Sequence, residues 1–434
     1  MATPKAPSSK PTWLEKLEQE SYQAELIISG IAIFGALQLP DLIKKLIIWC
    51  LDTFSQEFLS IGYLLFIYLI LASQLLIVNF VLHFLLRTLW IGNVGLASVY
   101  PNGINTESEK FSRDYSEKLK RKFPDFGAFN KQLDDFCSVI FSVASLFTMI
   151  FVSISLVIAI LMLLSYVIAL PFPGLEFRTV LFVIGGVMMF SFLIQSFLGL
   201  PQLREREWVK RIHFPWSMLA TKVLYGPFFR PVTYITYIFM TNSKGYGLFG
   251  LSMVYLFVVA FTSFPLIEES RVLFTNPAYE EKIRLTDARM HQLGYDDRRA
   301  EGEYIPFASI PSEVVRGTVL PVFVNIKPDS RSKVREHCDR SEFTTSWDRV
   351  QAWVDCLGKY YHFYVGEQQV EPSGLYVYER EDTRQYGLRT FLPMDSISVG
   401  GQVLRIVFDG EGVDSTLRHE TRLPFQFYPE ESLQ

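Results

Sequence analysis

Residues 137–170 run for 34 positions without one charged side chain, from Cys137 to Leu170. As a helix rising about 1.5 Å per residue, such a run spans about 50 Å, well beyond the roughly 30 Å of a bilayer's hydrocarbon core. A chain carrying it is expected to be an integral membrane protein, and the rest is read around that span.

Four further segments fit the same solvent. Residues 26–39 are apolar but short, and Pro40, Asp41, Lys44 and Lys45 follow them. They predict a first span starting near Glu25 and kinked around Pro40, or else a half-inserted hairpin. Residues 59–90 predict a second span, closed by Arg87 and Trp90 as interfacial anchors. After the charge-free run, Pro171 and Pro173 break the chain before a span at 179–200. A last span is expected at 245–267. Residues 214–240 contain Pro215, Pro227 and Pro231, and they are charged by Lys222 and Arg230. They read either as a re-entrant pair of short helices or as a broken span lining a polar cavity.

The loops set the orientation. Residues 91–135 carry Lys110, Arg113, Lys118, Lys120, Arg121, Lys122 and Lys131, and residues 201–213 carry Arg204, Arg206, Lys210 and Arg211. Two spans separate these basic loops, so both lie on one side, which the positive-inside rule assigns to the cytoplasm. The N-terminus is then cytoplasmic. Residues 1–24 are polar and lack the compact apolar core of a cleavable leader, while 12–24 suit a short amphipathic helix. In the first basic loop Phe111, Tyr115 and Leu119 recur every four residues. With Lys118, Lys120, Arg121 and Lys122 this pattern suits a helix lying on an anionic leaflet, or equally an ordinary loop helix packed on the protein.

Beyond Ile267 the composition changes. Residues 1–267 hold 21 basic and 17 acidic side chains, whereas residues 268–434 hold 20 and 28. The second part is thus acidic and poor in long apolar runs. Residues 277–293 suit an exposed helix and 294–305 a polar linker, so 268–304 reads as a helical linker. From about 305 onward come short β-like runs at 319–326, 360–365, 375–379, 386–391, 403–408 and 423–428, separated by turn residues. One helical patch interrupts them, with Trp347, Val350 and Val354 on one face. The expected fold is therefore an α-helical polytopic membrane domain of five to six transmembrane helices over 25–267, followed by a mainly β, sandwich-like soluble domain over 305–434.

The motifs say little about chemistry. Gly245, Gly247 and Gly250 match G-x-G-x-x-G, but they open a predicted membrane helix rather than a βαβ unit, so close helix packing is the expectation. His337, Cys338, Cys356 and His362 lack the paired spacings of zinc sites, and a Cys338–Cys356 disulfide is the better reading. That disulfide, together with the prolines of 214–240, favours an extracytoplasmic C-terminal domain. Gln74, Asn79 and His83 place polar groups inside a span. With Arg230 they are the candidate lining of a polar path. Ala32 and Ala36, Ser138 and Ser142, and Ser155 and Ala159 permit close helix packing. No catalytic, cofactor or metal constellation is expected. The function expected is non-enzymatic: a multi-pass cell-membrane protein anchoring a β domain that binds a partner protein or envelope component. Homo-oligomerisation is the other association considered. Anionic lipids lie at the cytoplasmic face, and nucleic acid is not a partner. A channel or transporter is the alternative.

Overall fold

The computed structural model describes residues 30–123, 126–172, 174–203, 205–242, 246–276, 293–328, 346–409 and 419–429. The chain is 62% helical, with four helices among the described residues long and apolar enough to cross a membrane and a C-terminal β-sheet region. Its contacts divide it into two compact units. One comprises Met1–Ile43 with Leu64–Ile267, the other Lys44–Tyr63 with Glu268–Gln434.

Among the described residues the α-helices are α1 (Leu39–Thr53), α2 (Gln56–Val99), α3 (Arg113–Lys122), α4 (Phe126–Ala169), α5 (Phe177–Leu198), α6 (Glu207–Tyr225), α7 (Phe229–Asn242), α8 (Tyr246–Glu269) and α9 (Ser346–Gly358). Residues 30–37 are helical too. A turn at Gln38 interrupts the helix before α1, which takes up Pro40 in its first turn, where the missing N–H is not needed. The long apolar helices lie in Gln56–Val99, Arg113–Ala169, Phe177–Leu198 and Ser252–Glu269.

In the first unit α2 and α4, of 44 residues each, form an antiparallel pair. Their contacts descend α2 as they ascend α4. Arg87 meets Asp134, Phe80 and His83 meet Phe141, Tyr68 meets Phe151, and the Ser155 hydroxyl donates to the Leu65 carbonyl at 3.2 Å. Small residues on α4 permit this approach: Ala144 is fully buried, and Ser155 is 3% exposed. Helix α8 joins the pair through a cluster of Leu75, Ala144 and Val259, and the Tyr255 hydroxyl donates to the Leu75 carbonyl at 3.2 Å.

Residues 214–240 fall in α6 and α7, joined by the 3-10 turn Gly226–Phe228. Gly226 takes φ +49°, a conformation that favours glycine. Pro215 lies inside α6, Pro227 in the turn and Pro231 in the first turn of α7. Helix α7, at 14 residues, reaches about 21 Å, less than the hydrocarbon core needs. Trp216 and Gln195 hold α6 to α5 by hydrogen bonds to the Ser191 carbonyl and the Ser217 hydroxyl.

The second unit contains two sheets. One has strand order β1 (Ala308–Ser309), β3 (Val319–Asn325), β7 (Tyr386–Pro393), β6 (Leu375–Glu379). The other has β2 (Val314–Val315), β9 (His419–Phe427), β8 (Gly400–Phe408), β4 (Tyr361–Val365), β5 (Gln368–Gln369). The β2–β9 pairing is parallel and the others antiparallel. Alternate residues of both sheets, among them Leu320, Val322, Leu388, Phe363, Leu404, Phe408 and Phe425, share one apolar core. All six β-like runs of the sequence lie in strands. The two-residue strands β1, β2 and β5 carry too short a pattern to announce themselves.

Helix α9 buries Val354 and Leu357 against this core, while Val350 is 45% exposed. The face expected to include Val350 is thus rotated, because the helix packs through its C-terminal turns. Most of the expected helix at 277–293 lies outside the described residues. Residues 294–305, polar by composition, bury Tyr295, Tyr304 and Ile305 in the unit. Their charges are accommodated by pairing: Arg299, 2% exposed, meets Asp296 at 2.9 Å and Asp382 at 3.3 Å.

Candidate functional site

The α2–α4 interface carries polar groups where an apolar seam would suffice. Asn79, His83 and Arg87 follow at intervals of four on α2 and are 1%, 8% and 3% exposed. That spacing places them on one helix face, the face turned to α4. The Arg87 guanidinium meets the Asp134 carboxylate at 2.7 Å and lies 4.7 Å over the Trp90 ring. The His83 ring centroid is 5.3 Å from that of Phe141. The Asn79 side-chain carbonyl and the Ser73 and Thr148 hydroxyls are buried without a hydrogen-bond partner among the described residues. In apolar surroundings such oxygens are costly unless water or a polar solute reaches them.

This assembly differs in membership from the candidate path of the sequence. Asn79 and His83 share the stripe. Gln74 is half-buried, and its offset of five from Asn79 turns it off that face. Arg230 is exposed in the first turn of α7 and shares no hydrogen bond or ion pair with the stripe among the described residues. Arg87 takes the position instead. Read from sequence it is an interfacial anchor, because nothing local announces a carboxylate partner 47 residues away.

The basic loop residues Lys118, Lys120, Arg121 and Lys122 lie on the exposed helix α3. Lys118 pairs with Asp114 at 2.7 Å and Arg121 with Glu117 at 3.7 Å. Of the candidate disulfide pair, Cys356 is disulfide-bonded and Cys338 lies outside the described residues; Cys50 and Cys137 are buried and in no disulfide.

Within the second unit, Glu303 is 10% exposed at its side chain and takes two cations, Lys44 at 3.0 Å and Arg271. Burial alone would raise its pKa. The hydrogen bonds and charges of Arg271 and Lys44 outweigh burial and hold the carboxyl below its ordinary value. Arg271 adopts a left-handed backbone at φ 63°. This turn leads into the buried 3-10 segment Val272–Thr275, whose Phe274 carbonyl accepts from the Gln56 amide at 3.1 Å. A second ionic cluster joins Arg299 and Arg380 to Asp296 and Asp382. Burial opposes ionisation of Asp382, but Arg380 and Arg299 lower its pKa on balance. Both clusters are saturated with opposite charge, which suits bracing rather than proton transfer.

The outer face of the β1-β3-β7-β6 sheet is of another kind. Register places Tyr376, Arg389 and Phe323 side by side across β6, β7 and β3. The Arg389 guanidinium lies 4.8 Å over the Tyr378 ring and 5.6 Å over that of Phe391, and Tyr376 is 38% exposed. Gly387 belongs to this face. A methyl there would collide with the Val324 carbonyl and the Phe323 ring, so glycine lets the ring lie flat on the sheet. The alternation in β6 and β7 was legible in sequence, but the cross-strand pairing that assembles this face was not. No protein-family model, curated protein or solved structure matches the chain.

Proposed function

We propose that this chain is a multi-pass cell-membrane protein whose helical unit anchors a β-sandwich-like domain that binds a partner protein or envelope component. The observation that carries this reading is the Tyr376–Arg389–Phe391 face. Tyrosine and arginine are enriched in protein-binding hot spots and phenylalanine in interfaces generally, and cations stacked on rings are already arranged to meet a partner. We read the chain as non-enzymatic, with five crossings: the four long apolar helices and the segment around α1. The N-terminus is cytoplasmic and α6–α7 re-entrant, which leaves the β domain extracytoplasmic. The shortness of α7 supports re-entry. A disulfide on Cys356, with Cys50 and Cys137 in no disulfide among four cysteines, supports a Cys338–Cys356 bridge and hence an oxidising compartment.

The test is capture of cross-linked partners by the full-length protein in its native membrane. Tyr376→Ala combined with Arg389→Glu should abolish capture, as should deletion of residues 305–434, while membrane insertion persists. Partners retained by both variants would overturn the reading. Impermeant thiol reagents on intact cells check the orientation: labelling of the β domain from outside, after reduction, is expected.

A transport reading has one specific observation in its favour, the buried oxygens of Ser73, Asn79 and Thr148 that have no hydrogen-bond partner among the described residues. It expects Asn79→Leu to alter flux in reconstituted vesicles. If Arg230 belongs to the path, Arg230→Ala should alter flux as well. Unaltered flux in both variants would remove it.

A further inference from the structure

We infer that α3 and the residue Phe111 before it form a docking face for the anionic leaflet of the bilayer that the neighbouring helices enter. Ser112 caps the helix by accepting from the Tyr115 N–H, so the helix starts at a fixed point with Phe111 just outside it. At about 100° per residue, Tyr115, Leu119 and Lys122 fall within roughly 60° of one another, and Lys118 lies about 60° from Tyr115 on the side of Lys122. Ser116, 1% exposed, is the one buried residue of the helix and sits about 100° round on the other side. The helix therefore rests on the protein through Ser116 and turns its aromatic stripe outward.

Among the described residues, nothing covers the aromatic part of that stripe. Phe111 and Tyr115 are 57% and 52% exposed, and their rings stack on each other at 5.4 Å. The residues flanking the loop continue the surface: Val99, Tyr100 and Phe123 are 66%, 60% and 54% exposed. Exposed apolar side chains run along α2 as far as Val99, which carries the lipid-facing surface to the start of this loop.

Charge names the occupant. Helix α3 holds five basic and two acidic side chains. Both acids are already engaged, Asp114 by Lys118 and Glu117 by Arg113 and Arg121. Lys120 and Lys122 have no carboxylate partner among the described residues. Long cationic chains flanking an aromatic stripe match a surface that is anionic in its headgroups and apolar just below them. An acidic protein would satisfy the lysines but leave Phe111 and Tyr115 in water. The bilayer satisfies both.

The experiment uses the full chain in nanodiscs, either of phosphatidylcholine alone or with phosphatidylglycerol as the minority lipid. Amide hydrogen exchange of residues 110–123 is followed in each. Given the several cationic contacts, exchange should be at least about tenfold slower with phosphatidylglycerol and should recover in high salt. Lys118→Glu with Lys122→Glu should abolish the difference. Tyr115→Ala should reduce it without changing its salt dependence. Equal exchange in the two lipid compositions would overturn the proposal, as would protection that persists in the charge-reversed variant. Either result would assign the helix to the protein's own surface or to a second copy. Partner capture by the β domain is read separately, so failure of one proposal leaves the other standing.

Discussion

The α2–α4 pair and the β unit are built inside out relative to each other. In the β unit the interior is apolar: Phe363, Phe408, Leu388 and Leu404 are at most 1% exposed. In the helical unit, Phe182, Phe257 and Phe261 are 75%, 73% and 72% exposed, whereas Asn79, Arg87, Ser153 and Ser165 are nearly inaccessible. A membrane around the long apolar helices would account for the difference. Water drives leucine and phenylalanine inward. Lipid tails are as apolar as leucine, so between membrane helices the hydrophobic effect sorts nothing, and close packing and interior hydrogen bonds hold the helices together. The same residue types thus carry opposite meanings in the two halves.

The contrast can be broken most sharply by truncating an aromatic in each unit. Phe408→Ala, with the side chain fully buried in the shared core of both sheets, should cost about 3–5 kcal/mol of β-unit stability. Phe182→Ala in α5 should cost under about 0.5 kcal/mol. Thermal unfolding of the two variants in one lipid or detergent checks both figures. Comparable losses would mean that α5 is covered by protein rather than lipid.

Next in size is the ion pair of the helix interface. Asp134→Ala leaves a guanidinium that is 3% exposed without its carboxylate. The loss should be about 2–4 kcal/mol, toward the lower end because Asp134 is itself 42% exposed. Replacing both partners, Arg87→Met with Asp134→Ala, should recover much of it, since an apolar pair needs no desolvation. A double-mutant cycle on thermal unfolding measures the coupling directly.

The Glu303 cluster gives a pH-dependent version. Its pKa is held below the ordinary carboxylate value of 4.5. Its contribution is therefore complete above pH 4.5 and is lost as the pH falls through the depressed folded value. Glu303→Gln should cost about 1–3 kcal/mol near neutrality and should lack that acid-dependent component. Acid titration of β-unit unfolding, wild type against variant, separates the two; parallel acid profiles would remove Glu303 from the account.

The smallest expected effect is the most diagnostic. Asn79→Leu removes a buried carbonyl with no partner among the described residues. Stability should change by less than about 1 kcal/mol, or rise. A larger loss would show that water or a solute engages Asn79, and would strengthen the transport reading over the anchoring one.

Much of this architecture was written locally. The charge-free run 137–170 announced a helix long and apolar enough to cross a membrane, and all but its last residue lies within α4. Six strands were legible as short β-like runs between turn residues, and Pro215, Pro227 and Pro231 marked the broken segment. What the tertiary structure decided were the pairings: Arg87 with Asp134 across 47 residues, Lys44 with Glu303 across 259, and Tyr376 with Arg389 and Phe323 across three strands. It also decided that Lys44–Tyr63 belong with the C-terminal unit. Hydropathy and periodicity report how each residue meets its solvent, a property of neighbours in sequence. Which charge neutralises which, and which face remains uncovered, follows from how distant segments pack, and no local pattern encodes it.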